Sequence, residues 1–383
     1  MPASNHFRHQ IYSSAPPTVD YELAQPPVPP APGSPEFAHR MRAVGRQLRS
    51  AGVETIFLVP GTFVGDDTWG IHHALDRFLP RFADWSRRSL KRLVDRIMGD
   101  VTNYSPDYVA TLNNGINEPN QSPITVRNFT WSGMNNHIGR IAGAVGLIHA
   151  LQQAHSGPEK RILIWGHSHA GNVMALMTNL LAADRNVLQQ LYDSTSLYFR
   201  AKDAIWQRTF EKLLENTRPL AKVSLDLVTF GTPIRYGWDS GGYSRLLHFV
   251  NHHPFDERRP YLARPPQSML DLLRGHDGDY VQQFGIAGSN FIVPFIPRNL
   301  KADRRLTKFL TPEHRWFHVF RKMRQGMRVA DEGKSLLMAY PREPSRWIEH
   351  FMGHGTYTLK RWMLFHAEEV SKQLYLTPEV TSD

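Results

Sequence analysis

The chain has 383 residues, 41% of them hydrophobic, enough to bury a core in one large domain or two smaller ones. It contains no cysteine, which excludes disulfides, thiolate metal sites and a cysteine nucleophile. The formal net charge is +10, but the basic residues lie scattered in pairs such as Arg87-Arg88, Arg258-Arg259 and Arg304-Arg305. They form no long block and match no nucleic-acid motif, so no nucleic-acid partner is expected; weak contact with an anionic membrane stays open. No apolar run is long enough to cross a bilayer, and the first residues carry no apolar signal-like segment, so a cytoplasmic location is the expectation.

Residues 1–38 are rich in Pro, Ala and Ser, as in Pro26-Pro27-Val28-Pro29-Pro30, and read as a disordered tail. From residue 39 to 383 a single domain is expected. Glu54-Thr55-Ile56-Phe57-Leu58-Val59 is a short apolar, β-branched run closed by Pro60-Gly61, the pattern of a buried strand. Residues 124–131 alternate like another strand, and Ile138, Ile141, Ala142, Val145 and Ile148 then fall at helical spacing. Arg161-Ile162-Leu163-Ile164-Trp165 is a third strand, followed after a turn by a helix carrying Val173, Leu176, Met177, Leu180 and Leu181 on one face. Residues 223–230 form a fourth strand closed by Gly231-Thr232-Pro233, with weaker candidates at 281–291 and 335–340 and a helix over 359–374.

Strands alternating with helices predict an α/β fold, a mostly parallel central sheet with helices on both faces. The stretches 72–120, 185–220 and 240–280 are too long for simple crossovers and read as helical, cap-like insertions.

The sharpest local signal is Gly166-His167-Ser168-His169-Ala170-Gly171, directly between a predicted strand and a predicted helix. A strained strand–turn–helix lifts a hydroxyl clear of a sheet so that it can reach a carbonyl, and it demands small residues two positions either side of the serine. Gly166 and Ala170 meet that demand, alanine standing where a second glycine is common. Ser168 is therefore the candidate nucleophile. The backbone N–H of His169, at the start of a helix, is a candidate donor to the oxyanion that attack would create.

With Val59-Pro60-Gly61-Thr62 and Thr229-Phe230-Gly231-Thr232-Pro233, this motif resembles the α/β-hydrolase superfamily, in particular its lipase- and esterase-like serine hydrolases, over most of residues 52–375. The resemblance implies cleavage of a small-molecule or lipid carboxylic ester through an acyl-enzyme, by a catalytic triad and an oxyanion hole, with no cofactor. It implies a second oxyanion donor after the first strand, at Thr62 or, failing that, Phe63. It also implies the chain order serine, acid, histidine, with the histidine in a loop after the last strand. His354, between Gly353 and Gly355, is the choice there, with His350 second. The acid's usual place falls near Asn290, where no carboxylate stands; some lipases take it from the end of the preceding strand, here Asp239, with Asp303 and Asp331 as alternatives.

Amidases, thioesterases and polyester depolymerases share the same tetrahedral chemistry, and a non-catalytic binding protein on the same fold is a further alternative. Asp66-Asp67, His72-His73 and His252-His253 have no spacing that marks a metal site, so no metal is expected.

Overall fold

The computed structural model describes residues 6–9, 16–61, 104–154, 160–199, 204–215, 220–264, 266–288, 297–310, 329–341 and 352–376. Seven strands are β1 (Tyr21–Ala24), β2 (Val53–Val59), β3 (Thr125–Asn128), β4 (Lys160–His167), β5 (Val223–Phe230), β6 (Arg245–Asn251) and β7 (Lys334–Met338). They form one parallel sheet in the order β1-β7-β6-β5-β4-β2-β3.

Ten α-helices accompany them among the described residues: α1 (Pro35–Ser50), α2 (Pro106–Ile116), α3 (His137–Ala154), α4 (Ala170–Ala182), α5 (Arg185–Phe199), α6 (Ala204–Leu214), α7 (Met269–Arg274), α8 (Tyr280–Gly288), α9 (Pro297–Leu310) and α10 (Lys360–Ser371). Two start as their sequences dictate: Ser34 and Ser105 accept the N–H groups of Phe37 and Tyr108, and a proline occupies the first turn of each helix.

Because successive strand side chains point to opposite faces, an apolar strand feeds two cores at once. Ile162 and Ile164 of β4 pack with α3, α4, α5, α6 and α9 on one face. Leu163 and Trp165 pack with α1, α2 and α10 on the other. Helices thus cover both faces, as the α/β reading requires. No helix of the described residues is long and apolar enough to cross a membrane.

Three expectations about organisation are corrected. The N-terminal segment is not all tail: β1 pairs in parallel with β7, Leu23 opposite Leu337. Phe7 is buried against Phe309, and the Arg8 N–H donates to Asn179 Oδ1 at 2.6 Å. Tyr21-Glu22-Leu23-Ala24 contains no proline, so all four N–H groups remain for a ladder despite the proline-rich flank. The stretch 240–280 contains a central strand, β6, and not only helix. Residues 281–288 are helical, in α8, where a strand was expected. The other two predicted insertions differ in kind. Helices α5 and α6 belong to the core through Leu188, Leu191, Trp206 and Phe210, while residues 72–103 lie outside the described residues.

Two core histidines make the fold acid-sensitive. His248 Nδ1 meets Thr229 Oγ1 at 2.7 Å while its Nε2 donates to the Glu332 carbonyl; the His366 Nε2 is bonded to the Tyr340 hydroxyl at 2.6 Å. Burial pushes their pKa values down to about 4 and about 3. The unfolded chain therefore takes up these protons first, and stability falls as pH drops below about 6.5, by on the order of a few kcal/mol per histidine. Glu332 acts with the opposite sign, since burial raises it to about 7 and the folded state then takes up the proton first. The net loss is therefore expected to steepen below pH ~4.5, where Glu332 is protonated in both states. Urea midpoints between pH 7 and 4 would check this, and His366→Gln should flatten the slope.

Candidate active site

Strand β4 ends at His167, and the next residue carries the strain. Ser168 has φ +56°, one of three non-glycine residues in the left-handed region among the described residues. That conformation costs a side-chain-bearing residue about 1–2 kcal/mol. The end of β5 and the turn after it hold it: the Ser168 N–H donates to Phe230 O at 2.8 Å, and Thr232 Oγ1 donates to Ser168 O at 2.8 Å. Helix α4 begins two residues later with Ala170, fully buried at the position where a second glycine is common.

Gly61, just beyond the end of β2, lies against this serine: a Cβ there would sit 2.6 Å from Ser168 Cβ and 3.2 Å from Oγ. Only glycine permits that approach. Ser168 itself is 4% exposed. Its Oγ has no hydrogen-bond partner among the described residues, yet it is not one of the fully enclosed polar atoms.

The loops after β6 and β7 interlock. Met352 (φ +56°) and Gly353 (φ +82°) turn the second loop, and Asn251 Nδ2, at the end of β6, donates to Gly353 O at 2.8 Å. In the first loop Gly275 lies backbone to backbone against Met352 and Gly353, and Gly353 against Gly278, a fit that side chains on Gly275 or Gly353 would prevent. Each loop then presents one functional group. Asp279 Oδ2 meets His354 Nδ1 at 2.7 Å, and both side chains are almost wholly buried.

The carboxylate is held from several sides. The Tyr357 hydroxyl donates to the same oxygen at 3.1 Å, and Oδ1 caps α8 by accepting the Gln282 N–H at 2.8 Å. Gly231, with φ +58°, leaves the room: a Cβ there would lie 2.5 Å from Asp279 Oδ2. The imidazole of His354 packs on that of His167, ring centroids 4.6 Å apart, and the His354 carbonyl is 3.4 Å from His167 Nε2. His354 therefore stands beside the residue that precedes Ser168. No hydrogen bond joins Ser168 Oγ to the ring among the described residues; such bonds commonly tighten only when substrate binds. With Nδ1–H directed at a carboxylate, Nε2 is the basic nitrogen.

The carboxylate that meets His354 is thus Asp279 and not Asp239, the one expected from sequence. Asp239 accepts the Gly241 N–H at 3.0 Å and pairs with Arg8 at 3.5 Å, serving the turn after β5 and the N-terminal strap. Asp303 lies in α9, where burial raises its pKa and Arg140 and Arg235 pull it back; Asp331 stands just before β7, beside Glu332. Asn290, His350, Thr62 and Phe63 lie outside the described residues, as do Asp66, Asp67, His72 and His73. His252 is engaged with the Pro260 carbonyl at 2.5 Å. Among the described residues no group of three or more side chains is arranged to hold a metal ion.

Sequence reasoning missed Asp279, Tyr357 and Arg140. The signal for Asp279 was the run Leu246-Leu247-His248-Phe249-Val250, a strand whose following loop ends in Gly278-Asp279.

His169, next to the serine, is 5% exposed. Its N–H opens α4 and has no acceptor among the described residues. Its ring is kept neutral: burial above all, then the Arg140 and Arg235 guanidiniums, holds its pKa well below the usual histidine range. Comparison of the chain with protein-family models, with curated proteins and with solved structures finds no match.

Proposed function

We propose that this chain is a serine hydrolase of the α/β-hydrolase fold that cleaves carboxylic esters through an acyl-enzyme on Ser168. One observation carries the reading: the imidazole packed on His167, the residue before a strained serine between β4 and α4, has its Nδ1 hydrogen-bonded to a buried carboxylate. Further support comes from the order of the parts. The serine follows β4, the acid lies beyond β6 and the histidine beyond β7, which is the serine, acid, histidine order implied by the resemblance.

In this mechanism Ser168 Oγ attacks the ester carbonyl while its proton passes to His354 Nε2. Asp279 keeps the ring in the productive tautomer and stabilises the imidazolium that forms. The oxyanion is met by the His169 N–H, with Thr62 or Phe63 as the proposed second donor. The imidazolium then returns the proton to the leaving alkoxide, the acyl-enzyme forms, and water repeats the sequence with His354 as base. The chemistry needs no cofactor.

A fluorophosphonate that phosphonylates Ser168, together with turnover of a short p-nitrophenyl ester, is the direct test. Failure of both would leave a non-catalytic binding protein. Amides, thioesters and polyesters pass through the same intermediate, and rates on matched acyl groups would rank them against the ester.

Gly61→Ala offers a separate test of the packing. The new methyl must displace the Ser168 side chain, and a displacement near 1 Å costs on the order of a hundredfold in rate. Phosphonylation and ester turnover should fall together by at least about tenfold, with the thermal midpoint much less affected.

A further inference from the structure

The side chain of His169 is distinct from the backbone group assigned above, and its surroundings determine where its proton sits. Ring Nδ1 faces two nitrogens, Arg140 Nη2 at 3.5 Å and Asn172 Nδ2 at 3.4 Å. A guanidinium can only donate. The Asn172 amide is fixed by its other bonds: Nδ2 donates to Pro233 O at 2.9 Å, and Oδ1 accepts the Arg235 N–H at 2.9 Å. Flipping that amide would set donor against donor and acceptor against acceptor. Arg140, itself fully buried, is oriented by Tyr236 OH at 3.2 Å and by Asn135 Oδ1. Nδ1 therefore carries the lone pair, and the proton of the neutral ring is on Nε2.

Nε2 is the other half of the argument. It has no hydrogen-bond partner among the described residues, and unlike the sealed Nε2 of His137 it is not a fully enclosed atom. The same holds for Ser168 Oγ on the adjacent residue. Gly285 lies on the same side, where a Cβ would meet Pro233 at 2.5 Å and come only into ordinary contact with His169 Cε1 at 3.8 Å.

We infer that the His169 imidazole, locked as its Nε2–H tautomer by Arg140 and Asn172, is a substrate-binding donor that holds an acceptor oxygen of the ester beside Ser168. The inference rests on the proposed ester hydrolysis for its substrate, but the tautomer can be measured without it. Burial and the neighbouring cations keep the ring uncharged, so it donates one hydrogen bond and repels no electrophile.

The test separates donor from filler. Glutamine retains an N–H donor in a smaller volume; phenylalanine retains the ring and loses the donor. On a short p-nitrophenyl ester, His169→Phe should lower kcat/KM by about ten- to a hundredfold, and His169→Gln should lose at least about threefold less than His169→Phe. The reverse ranking, or equal rates for all three, would overturn the inference while leaving the hydrolase reading intact. Absence of Ser168-dependent turnover in the wild type would instead remove that reading, and the substrate-binding role with it.

Should either variant fail to fold, long-range 1H–15N NMR of histidine-labelled wild-type protein reports the tautomer directly. The inference requires a ring with proton-bearing Nε2 and bare Nδ1, still neutral where an ordinary histidine titrates, that mixes tautomers in Arg140→Met. A proton on Nδ1 would overturn it.

Discussion

Ser168→Ala is expected to reduce hydrolysis of a short p-nitrophenyl ester by roughly 10⁴-fold or more, to the level that binding and the oxyanion donors alone supply. The alcohol oxygen is the only part of the side chain removed, and it has no hydrogen-bond partner among the described residues, so no buried group is orphaned by its loss. Alanine at φ +56° pays much the same backbone cost as serine, and the bonds that hold the turn run through main-chain atoms of residue 168 and Thr232 Oγ1. The variant should therefore unfold at nearly the wild-type temperature and give an unchanged circular dichroism spectrum. Undiminished turnover would remove Ser168 from the mechanism altogether.

Asp279→Asn carries the second large effect, about 10³- to 10⁴-fold in kcat. The carboxylate accepts from His354 Nδ1 at 2.7 Å and from the Tyr357 hydroxyl at 3.1 Å on one oxygen, and from the Gln282 N–H on the other. An asparagine that keeps the cap with its oxygen must turn its NH₂ toward His354. Nδ1 then becomes an acceptor, the ring proton moves to Nε2, and the base that should take the serine proton is lost. Asp239→Asn should change kcat less than about threefold, because that side chain serves the Gly241 turn and Arg8. A large loss at Asp239 with a mild one at Asp279 would reverse the assignment. Steady-state kinetics on both purified variants, with thermal midpoints to detect unfolding, decides between them.

Much of this arrangement is legible in the linear chain, and the unreadable part has a physical cause. Strands β2, β4 and β5 announce themselves, and β7 more weakly, because a parallel strand buried on both faces must be mostly apolar, as in Ile162-Leu163-Ile164-Trp165. The turn at Ser168 is equally local, since small residues on either side of it are a steric demand met within a few positions. β6 is harder to see. Its apolar run is broken by His248, a residue that reads as polar and becomes core only when Thr229 and the Glu332 carbonyl satisfy both ring nitrogens. The segment 281–288 misleads the other way: its short apolar run suits a strand or a buried helix, and the Asp279 cap decides for helix.

The sequence by itself therefore determined an α/β chain with a strained serine between strand and helix, and a histidine in a glycine turn near the end. Which carboxylate meets that histidine was decided only by tertiary structure. Asp239 and Asp279 are both loop aspartates next to turn-forming residues, and nothing local ranks one over the other. The ranking comes from the placement of β6 between β5 and β7, which sets the loop bearing Asp279 against the loop bearing His354 and leaves Asp239 facing Arg8. Strand order is a property of long-range pairing, and no short window of residues contains it.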